Sequence, residues 1–247
     1  MDKSNSPILQ ILADLTINLT DFDILQNAFV HRSYLNENRK FHLPSNERLE
    51  FLGDACLELV VSEFLYKNYP HDPEGILTSY RGALVNTESL AESAKLLDLG
   101  KYLLLSRGEE DGGGRESHYL LANTLEALIG AIYLDQGYDA AAILIHTYIT
   151  NKLTHIIAEE RFRDPKSKLQ EKTQAYYGVT PQYEVTSEIG PDHHKIFTVA
   201  VKLNSNIVGS GKGSSKQKAE LDAAKNAVSN WASIEDLMAV KSNGLNI

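Results

Sequence analysis

The sequence is poor in cysteine, in positive charge and in long apolar stretches. Its one cysteine, Cys56, allows no internal disulfide, and among apolar neighbours it is expected to be a buried structural thiol. No apolar run approaches the roughly 18 residues of a membrane-spanning helix. Residues 1–6 also lack the basic and apolar segments of a secretory leader. The sequence therefore predicts a cytoplasmic protein with no membrane partner.

The chain has 24 basic and 33 acidic side chains, which gives a formal net charge of -9. This balance alone argues against a protein that coats nucleic acid with a basic surface, since phosphate binding needs clustered Lys and Arg. The charge is uneven, however. Residues 1–164 carry 14 basic and 25 acidic side chains, whereas residues 165–232 carry 9 Lys and 6 acids. The two regions are therefore expected to have different functions.

The length of 247 residues fits two domains. Proline restricts the residue before it, so Asp164-Pro165 is a natural boundary. We expect a helical domain over residues 1–160, a second domain over 164–232 and a tail over 233–247.

The first region is predicted to be an all-α domain. Its apolar periodicity indicates helices over Asn46–Tyr69, Ile76–Leu97 and Tyr119–Gln136, the last bounded by Gly137. The tract Gly112–Gly114 is interpreted as a connector between helices.

The second region is predicted to be a small α+β domain in the order α-β-β-β-α. A helix is expected over Pro165–Tyr177, and strands near Gln182–Ser187, Phe197–Leu203 and Ile207–Gly211. Apolar residues then recur every four positions, at Ala219, Ala223, Ala227 and Trp231, which predicts a final amphipathic helix. Lys212 precedes Gly213 rather than Ser or Thr, which excludes a phosphate-binding P-loop.

Four acids at helical spacing mark the first predicted helix: Glu47, Glu50, Asp54 and Glu58. Residues three and four apart share one helical face. Such acids are usually a solvated stripe, but here apolar residues surround most of the helix, so the acids lie along a seam between packed faces. Like charges there repel unless a cation joins them.

Asn123 and Glu126 place two further oxygen donors on one side of the otherwise apolar helix Tyr119–Gln136. Oxygen donors from two helices suit a hard divalent cation such as Mg²⁺. A buried hydrogen-bonded core pair is the alternative, and the spacing alone leaves both open.

These motifs together resemble the ribonuclease III family. The segment NERLEFLGD over Asn46–Asp54 is similar to the signature helix of that family, and the other matching motifs fall in the family's order. They are Ala28–Tyr34, Glu74–Thr78 with Arg81 and Asn86, Gly108-Glu109 and Leu125–Ala131. The resemblance covers residues from about 20 to 232.

The resemblance implies a homodimeric endonuclease that cuts both strands of double-stranded RNA with Mg²⁺, for which Mn²⁺ could substitute. It implies 5′-phosphate and 3′-hydroxyl ends, and a role in processing ribosomal and other RNA precursors. Paired metals ~3.5 to 4 Å apart would stabilise the attacking and leaving oxygens.

Residue roles also follow from the resemblance. Glu50, Asp54 and Glu126 would be catalytic metal ligands. Glu47 and Glu74 would support the metal or the subunit contact. Phe51, placed by the helix opposite Asp54 and therefore exposed, would insert into the partner subunit.

Asn123 departs from the family's usual pattern, which has aspartate at this position. Its amide carbonyl can still ligate Mg²⁺ but brings no negative charge, so metal affinity should fall. The alternative function is therefore a weakened or inactive double-stranded-RNA-binding protein. The presence of Glu50, Asp54 and Glu126 favours the active enzyme.

The second region resembles a double-stranded-RNA-binding domain. Lys216 and Lys218 begin its last helix, whose N-terminus attracts phosphate. Gln170, Glu171 and His193 would reach successive minor grooves, where 2′-hydroxyls distinguish RNA. Gln217 stands where many members have a second Lys or Arg, so binding is expected to be weaker and less salt-sensitive.

Overall fold

The computed structural model describes residues 7–14, 16–191 and 195–235 of the chain. It forms two units, divided between Phe162 and Arg163. The first unit is built from helices, and the second combines a three-stranded sheet with helices. The predicted fold class, an all-α domain followed by an α-β-β-β-α domain, is confirmed.

The first unit contains a series of α-helices joined by short loops. They are α1 (Pro7–Asp14), α2 (Phe22–Asn27), α3 (Arg32–Glu37), α4 (Glu47–Asn68), α5 (Glu74–Val85), α6 (Thr87–Leu96), α7 (Arg107–Asp111), α8 (His118–Tyr148) and α9 (Leu153–Ala158). Short 3-10 turns cover Leu99–Tyr102, Gly114–Glu116 and Thr150–Lys152. One apolar core, formed mainly around α4 and α8, also takes buried residues from α1, α2, α5, α6 and α9.

Helix α4 is fixed at its start by Asn46, which is buried. The backbone nitrogen of Asn46 donates to the Val30 carbonyl (2.8 Å), and its side-chain amide donates to the Ala28 carbonyl (3.1 Å). Glu47 and Glu50 in the first turn suit the positive end of the helix dipole. The helix ends before Pro70, which cannot continue it.

Two glycines allow α4 and α8 to cross with their backbones in contact. A Cβ atom on Gly53 would overlap the carbonyl oxygen of Glu126 and lie 2.9 Å from the backbone nitrogen of Gly130. On the facing helix α8, a Cβ atom on Gly130 would overlap the carbonyl oxygen of Leu49 in α4. Any side chain at either position would therefore push the two helices apart.

The prediction of a single helix over Ile76–Leu97 is wrong, because the chain forms α5 and α6 there. They are separated at Asn86, whose backbone is extended (φ −70°, ψ 159°). The Asn86 side chain accepts a hydrogen bond from the backbone nitrogen of Ser89 (2.9 Å). Asn is a favoured N-cap residue, so it begins a new helix where the periodicity suggests continuation.

Gly137 interrupts α8 as the sequence predicts, with φ 82° and ψ −172°, but the chain resumes a helical path and continues to Tyr148. A positive φ of this size is favourable only for glycine. The result is a kinked helix rather than a helix that stops.

The segment His118–Ala158 is long and apolar enough, by length and composition alone, to cross a membrane. This corrects the sequence expectation that no run approaches that length. A core helix of a globular protein passes the same test, and the residues of α8 from Leu120 to Ile132 are mostly buried against the rest of the unit.

The second unit has the order α10 (Pro165–Tyr177), β1 (Gln182–Ile189), β2 (Ile196–Leu203), β3 (Asn206–Gly213) and α11 (Lys216–Ser229). The sheet is antiparallel throughout, in the order β1-β2-β3. Val199, Val201 and Leu203 are buried against the helices, as the alternation in β2 predicts. Gly211 lets α11 approach β3 closely, since a Cβ atom there would meet the Ala219 carbonyl oxygen at 2.6 Å.

Candidate active site

Polar side chains from α4 and α8 meet beside the glycine crossing. Between Leu120 and Ile132 every residue of α8 is buried except Asn123 and Glu126, which are half-buried. Across from them on α4, Glu50 is half-buried and Asp54 is exposed. The structure thus places the four side chains that the sequence predicts as metal ligands at one edge of the core, three of them half-buried and Asp54 exposed.

Glu126 is held in an environment that disfavours its charge. Burial first, and then the charges of Asp54, Glu50 and Glu58, raise the pKa of Glu126 from 4.5 to about 8. Desolvation and neighbouring like charges both penalise an ionised carboxylate. A bound cation would offset both effects, because it supplies opposite charge where water is scarce.

Glu50 has a raised pKa for a similar reason. Burial is the largest cause and the charge of Glu47 the next, while a hydrogen bond from the Asn123 side chain acts in the opposite direction. Because only the amide nitrogen of Asn123 can donate to a carboxylate, the amide oxygen of Asn123 remains an acceptor for another group.

Two outer acids of α4 have basic partners. Glu47 is exposed and lies 3.7 Å from Arg32, and it accepts a hydrogen bond from the Ser45 hydroxyl (2.8 Å). Glu58 pairs with Arg81 of α5 at 2.9 Å. The α4 acids are therefore neither one solvated stripe nor one cluster, since Glu50 is half-buried, Asp54 is exposed and the outer two have basic partners.

Glu74 does not join these side chains within one chain. It begins α5, beyond the turn that ends α4, and its carboxylate accepts a hydrogen bond from the Thr78 hydroxyl of its own helix (2.9 Å). At 1.5 Å per residue, α4 alone separates Glu50 from its own C-terminal end by about 27 Å. A supporting role for Glu74 at the metal site of the same chain is not supported, and a role at a subunit contact stays a prediction.

The donor set fits a hard divalent cation in chemistry, with three carboxylates and one amide oxygen. In the part of the chain that the structure describes, no three His, Cys, Asp or Glu side chains are already close enough to hold a metal. Glu50 and Glu126 have three side-chain torsions each, so their carboxylates can change position by rotation about these bonds.

A pocket of about 200 Å³ adjoins the acids on the side of α3. We refer to it as the His31 pocket. The residues that line it include His31, Arg32, Glu47, Glu50, Tyr119 and Asn123. Sequence reasoning placed His31 and Arg32 in a family motif but gave them no role. It also missed Gly53 and Gly130, for which the available signal was a glycine inside an otherwise apolar helix.

The exposure of Phe51 is confirmed, since 80% of this residue is accessible to solvent. Its predicted position opposite Asp54 is wrong, because residues three apart in a helix lie about 60° apart, and both are exposed on the same side of α4. Leu59 and Tyr66 further along α4 are also exposed, by 60% and 77%. The outer face of α4 thus carries three large apolar side chains in water.

Most of the predicted RNA-binding residues of the second unit lie on its surface. Gln170 and Glu171 are exposed on α10, and Lys216 and Lys218 are exposed in the first turn of α11. The Ser215 hydroxyl caps α11 by accepting from the backbone nitrogen of Lys218 (3.2 Å). His193 lies outside the described residues.

Several of these side chains have partners within the unit. The Lys216 ammonium lies 3.4 Å from the Glu188 carboxylate and 5.8 Å from the centre of the Phe197 ring. Glu171 lies 3.6 Å from the Arg163 guanidinium. A phosphate that approaches Lys216 would therefore compete with Glu188 for its charge.

Comparisons with known proteins match both units. Residues 21–153 match the family model described as Ribonuclease-III-like, and residues 165–230 match the double-stranded RNA binding motif. The chain is 46% identical over 224 residues to Ribonuclease 3 of Natranaerobius thermophilus, a match that covers 91% of this chain and 96% of that protein. It is 40% identical over 227 residues to Ribonuclease 3 of Borreliella burgdorferi, covering 92% of each.

Solved structures agree with the helical unit. A structure of the nuclease domain of ribonuclease III from Campylobacter jejuni, described for flexibility in a region involved in dimer formation, matches with a TM-score of 0.53 and 40% identity. The match covers 59% of this chain and 96% of that one. A helical nuclease domain followed by a double-stranded-RNA-binding motif defines an RNA-directed endonuclease as the class. The chain belongs to the ribonuclease III family, whose members are endoribonucleases.

Proposed function

We propose that this protein cleaves double-stranded RNA in a reaction that depends on Mg²⁺ or Mn²⁺, and that it leaves 5′-phosphate and 3′-hydroxyl ends. One observation carries the proposal beyond family membership: Glu126 is half-buried, and burial, followed by the charges of neighbouring acids, raises its pKa to about 8. A folded protein keeps such mutually repelling acids at a cost in stability, and a cation is the simplest group that removes this cost.

Each polar residue of the crossing has a distinct part in this proposal. Glu50, Asp54 and Glu126 would hold the cations. The amide nitrogen of Asn123 would orient Glu50 through a hydrogen bond, and the amide oxygen of Asn123 would serve as an uncharged metal ligand. Glu47, which is exposed beside Arg32, would support the site from its edge. When bound, paired cations supply charge stabilisation to the attacking and leaving oxygens of the phosphodiester.

Asn123 is expected to weaken metal binding without abolishing cleavage. An amide oxygen is a competent ligand for Mg²⁺, but it lacks the negative charge of a carboxylate. The alternative, an RNA-binding protein that has lost cleavage through Asn123, is disfavoured by the enzyme family to which the chain belongs and by the three acids that remain.

A homodimer is proposed to assemble through the outer face of α4. Phe51 and Leu59 are eight residues apart and therefore on the same side of the helix, and both are largely exposed in the single chain. Large apolar residues clustered on one face mark interaction sites in soluble proteins. A second copy of α4 would cover them.

The second unit is proposed to bind the duplex. Lys216 and Lys218 would contact phosphates across the major groove, with the N-terminus of α11 adding its dipole. Gln170, Glu171 and His193 would contact the minor grooves. The nuclease domain is proposed to span residues 1–160, the RNA-binding domain residues 164–232 and a tail residues 233–247; the matches of the two family models over residues 21–153 and 165–230 support this division.

The working compartment is proposed to be the cytoplasm, and the targets to include precursors of ribosomal and messenger RNA. The compartment is supported by the single cysteine of the chain, which is buried, and burial raises the pKa of its thiol. A chain without disulfides suits a reducing compartment.

The decisive experiment is cleavage of a long duplex RNA by the purified protein, with and without added Mg²⁺ or Mn²⁺, followed by identification of the product ends. Cutting that requires the metal and leaves 5′-phosphates supports the proposal. Glu126→Gln should reduce the rate by at least about a hundredfold while leaving duplex affinity nearly unchanged.

The Asn123→Asp variant is the matched control for activity. If the protein left the duplex intact at high Mg²⁺ while Asn123→Asp cut it, the proposal of an active enzyme would fail and the RNA-binding alternative would stand. Metal-independent cutting by the purified protein would also overturn it.

A further inference from the structure

The His31 pocket shares three of its lining residues, Glu47, Glu50 and Asn123, with the proposed metal site. Its volume of about 200 Å³ is several times the roughly 30 Å³ that one water molecule occupies in the liquid. The pocket therefore has room for a tetrahedral group beside the bond that is cut. Three other residues that line it, His31, Arg32 and Tyr119, have no part in holding the cations.

The hydrogen bonds around His31 fix which ring nitrogen carries its proton. The backbone nitrogen of Ser33 donates to His31 Nδ1 (3.3 Å), and the Ser33 hydroxyl lies 2.8 Å from the same atom. A backbone N–H can only donate, so Nδ1 must be the acceptor. The proton of the neutral ring is therefore on Nε2.

Ser33 is itself held in this arrangement. Its hydroxyl oxygen accepts a hydrogen bond from the backbone nitrogen of Ser106 (3.1 Å), which leaves the hydroxyl hydrogen for His31 Nδ1. Burial, the largest influence, lowers the pKa of His31 and keeps the ring neutral. The hydrogen bonds of the ring within the described residues fall on Nδ1, so the Nε2–H donor remains for a ligand.

Arg32 adds a positive charge to the same pocket. Its guanidinium is exposed and lies 3.7 Å from Glu47, which is longer than a hydrogen bond. An exposed ion pair of this kind contributes little to stability, so a stronger anionic ligand can displace it. Guanidinium groups bind phosphate oxygens with two parallel hydrogen bonds.

We propose that the His31 pocket binds the backbone phosphate that neighbours the cleaved one, with His31 Nε2–H and Arg32 as donors. A donor-only pair of this kind matches a phosphate, which offers only acceptors. This inference rests on the proposed function, because the neighbouring phosphate is defined by the one that is cut. His31 and Arg32 are then positioning residues that set the register of the strand against Glu50 and Glu126.

His31 also has a structural role, since it is the N-cap of α3, and the variants must separate the two. In His31→Asn, the shorter amide can still accept from Ser33 and cap the helix, but no donor reaches the position of Nε2. His31→Gln has the complementary property, because its longer amide brings a donor close to that position. Arg32→Gln removes the cation, and equal melting temperatures would establish that all three variants remain folded.

The test is a phosphate scan of binding with the full chain carrying Glu126→Gln, so that Mg²⁺ can be present without cleavage. Each phosphate near the cleavage site of a defined duplex is replaced, one at a time, by an uncharged methylphosphonate. We expect one neighbouring position where the replacement weakens binding by about tenfold. Adding His31→Asn or Arg32→Gln should weaken the binding of unmodified RNA but abolish the penalty at that position, and His31→Gln should restore part of it.

Three outcomes overturn or redirect the inference. If every replacement has the same effect in the parent and in the Arg32→Gln variant, the pocket does not bind a phosphate. If the same substitutions, made in the parent with Glu126 intact, change only the Mg²⁺ concentration that gives half-maximal cleavage, the pocket serves the cations instead. If the parent sequence fails to cut duplex RNA with any divalent metal, the proposed function fails, and the binding scan still decides independently whether the pocket holds a phosphate.

Discussion

The α-carbon of Gly53 packs directly against the carbonyl group of Glu126, so closely that a Cβ atom would overlap the carbonyl oxygen. Gly53 lies between Glu50 and Asp54 on α4. The closest approach of the two central helices is therefore at the level of the acids, and the separation of the helices sets the separation of the proposed metal ligands.

Replacing Gly53 with alanine should damage both folding and cleavage. The added methyl group must move α4 away from α8, and overpacking of this kind costs about 1 to 3 kcal/mol of the free energy of unfolding. A shift of the order of 1 Å at a reacting site can reduce the rate about a hundredfold. Chemical denaturation and cleavage kinetics on the same preparation measure the two effects.

Gly82→Ala is the matched control. Gly82 is exposed on α5, and a Cβ atom there would meet nothing within 4 Å. Alanine is the better helix former by about 1 kcal/mol, so this variant should be as stable as the parent or slightly more so. Equal losses in Gly53→Ala and Gly82→Ala would contradict the close crossing.

The stability of the metal-free protein should fall as the pH rises from about 4.5 to about 8, because of Glu126. Its folded-state pKa is raised to about 8 from 4.5, so the folded state holds the proton more tightly than the unfolded state does. The stability that results is fully present below 4.5 and is lost as the pH rises through the folded-state value. Glu126→Gln should remove this part of the pH dependence.

The measurement is the difference in melting temperature between the parent and Glu126→Gln across pH 5 to 9, with a chelator present. Taking the difference cancels the contribution of His31 and His146, whose pKa values burial lowers. A difference that does not vary with pH would show that Glu126 is not destabilised by ionisation.

Asn123→Asp should increase metal affinity. The substitution adds a carboxylate beside Glu50 and Glu126, which already repel each other in the metal-free protein. We expect a lower melting temperature without metal, a larger stabilisation by Mg²⁺, and half-maximal cleavage at a Mg²⁺ concentration several-fold lower than for the parent. A Mg²⁺ titration followed by both melting and cleavage tests this, and an unchanged midpoint would remove Asn123 from the proposed ligands.

Phe51→Asp should convert the proposed dimer into a monomer of 27.4 kDa. A carboxylate in place of an 80% exposed aromatic ring leaves the single chain intact but cannot be buried against a second α4. Analytical ultracentrifugation gives the mass directly. Leu96→Asp is the control, since Leu96 is 71% exposed on α6 and has no place in the proposed contact. A dimeric Phe51→Asp protein would exclude the proposed interface.

Lys216→Ala should weaken duplex binding and reduce the slope of log affinity against log salt by about 1, as expected for the loss of one phosphate contact. Lys225, exposed further along α11, supplies the control, and Lys225→Ala should leave the slope unchanged. Gln217→Lys should steepen it. An unchanged slope for Lys216→Ala would remove this residue from the proposed phosphate contacts.

The sequence predicts which side chains share a helical face better than it predicts where one helix ends and the next begins. Spacing alone places Glu50 and Asp54 on one face and Asn123 with Glu126 on another, because three- and four-residue offsets always share a face of a helix. The same regularity conceals the break at Asn86, where apolar periodicity continues across two separate helices. The new helix begins where the Ser89 backbone nitrogen donates a hydrogen bond to the Asn86 side chain, and the apolar periodicity does not indicate this cap.

Tertiary contacts could not be predicted from local sequence patterns. The pairing of Glu58 with Arg81 depends on how α5 folds back on α4. The tautomer of His31 depends on Ser33 and on the distant Ser106. Each requires residues far apart in sequence to be neighbours in space, so motif order identifies the participants but not their arrangement.

Burial of Cys56 makes the sole thiol of the chain a poor nucleophile, since burial raises its pKa and only the thiolate reacts readily. A cysteine introduced in place of Leu96, which is 71% exposed on α6 and outside the proposed contact, would react with a maleimide faster than Cys56. Spectroscopic labels could thus be attached there while Cys56 keeps its place in the core, and the distance between the two copies of α6 in the proposed dimer could be followed during RNA binding.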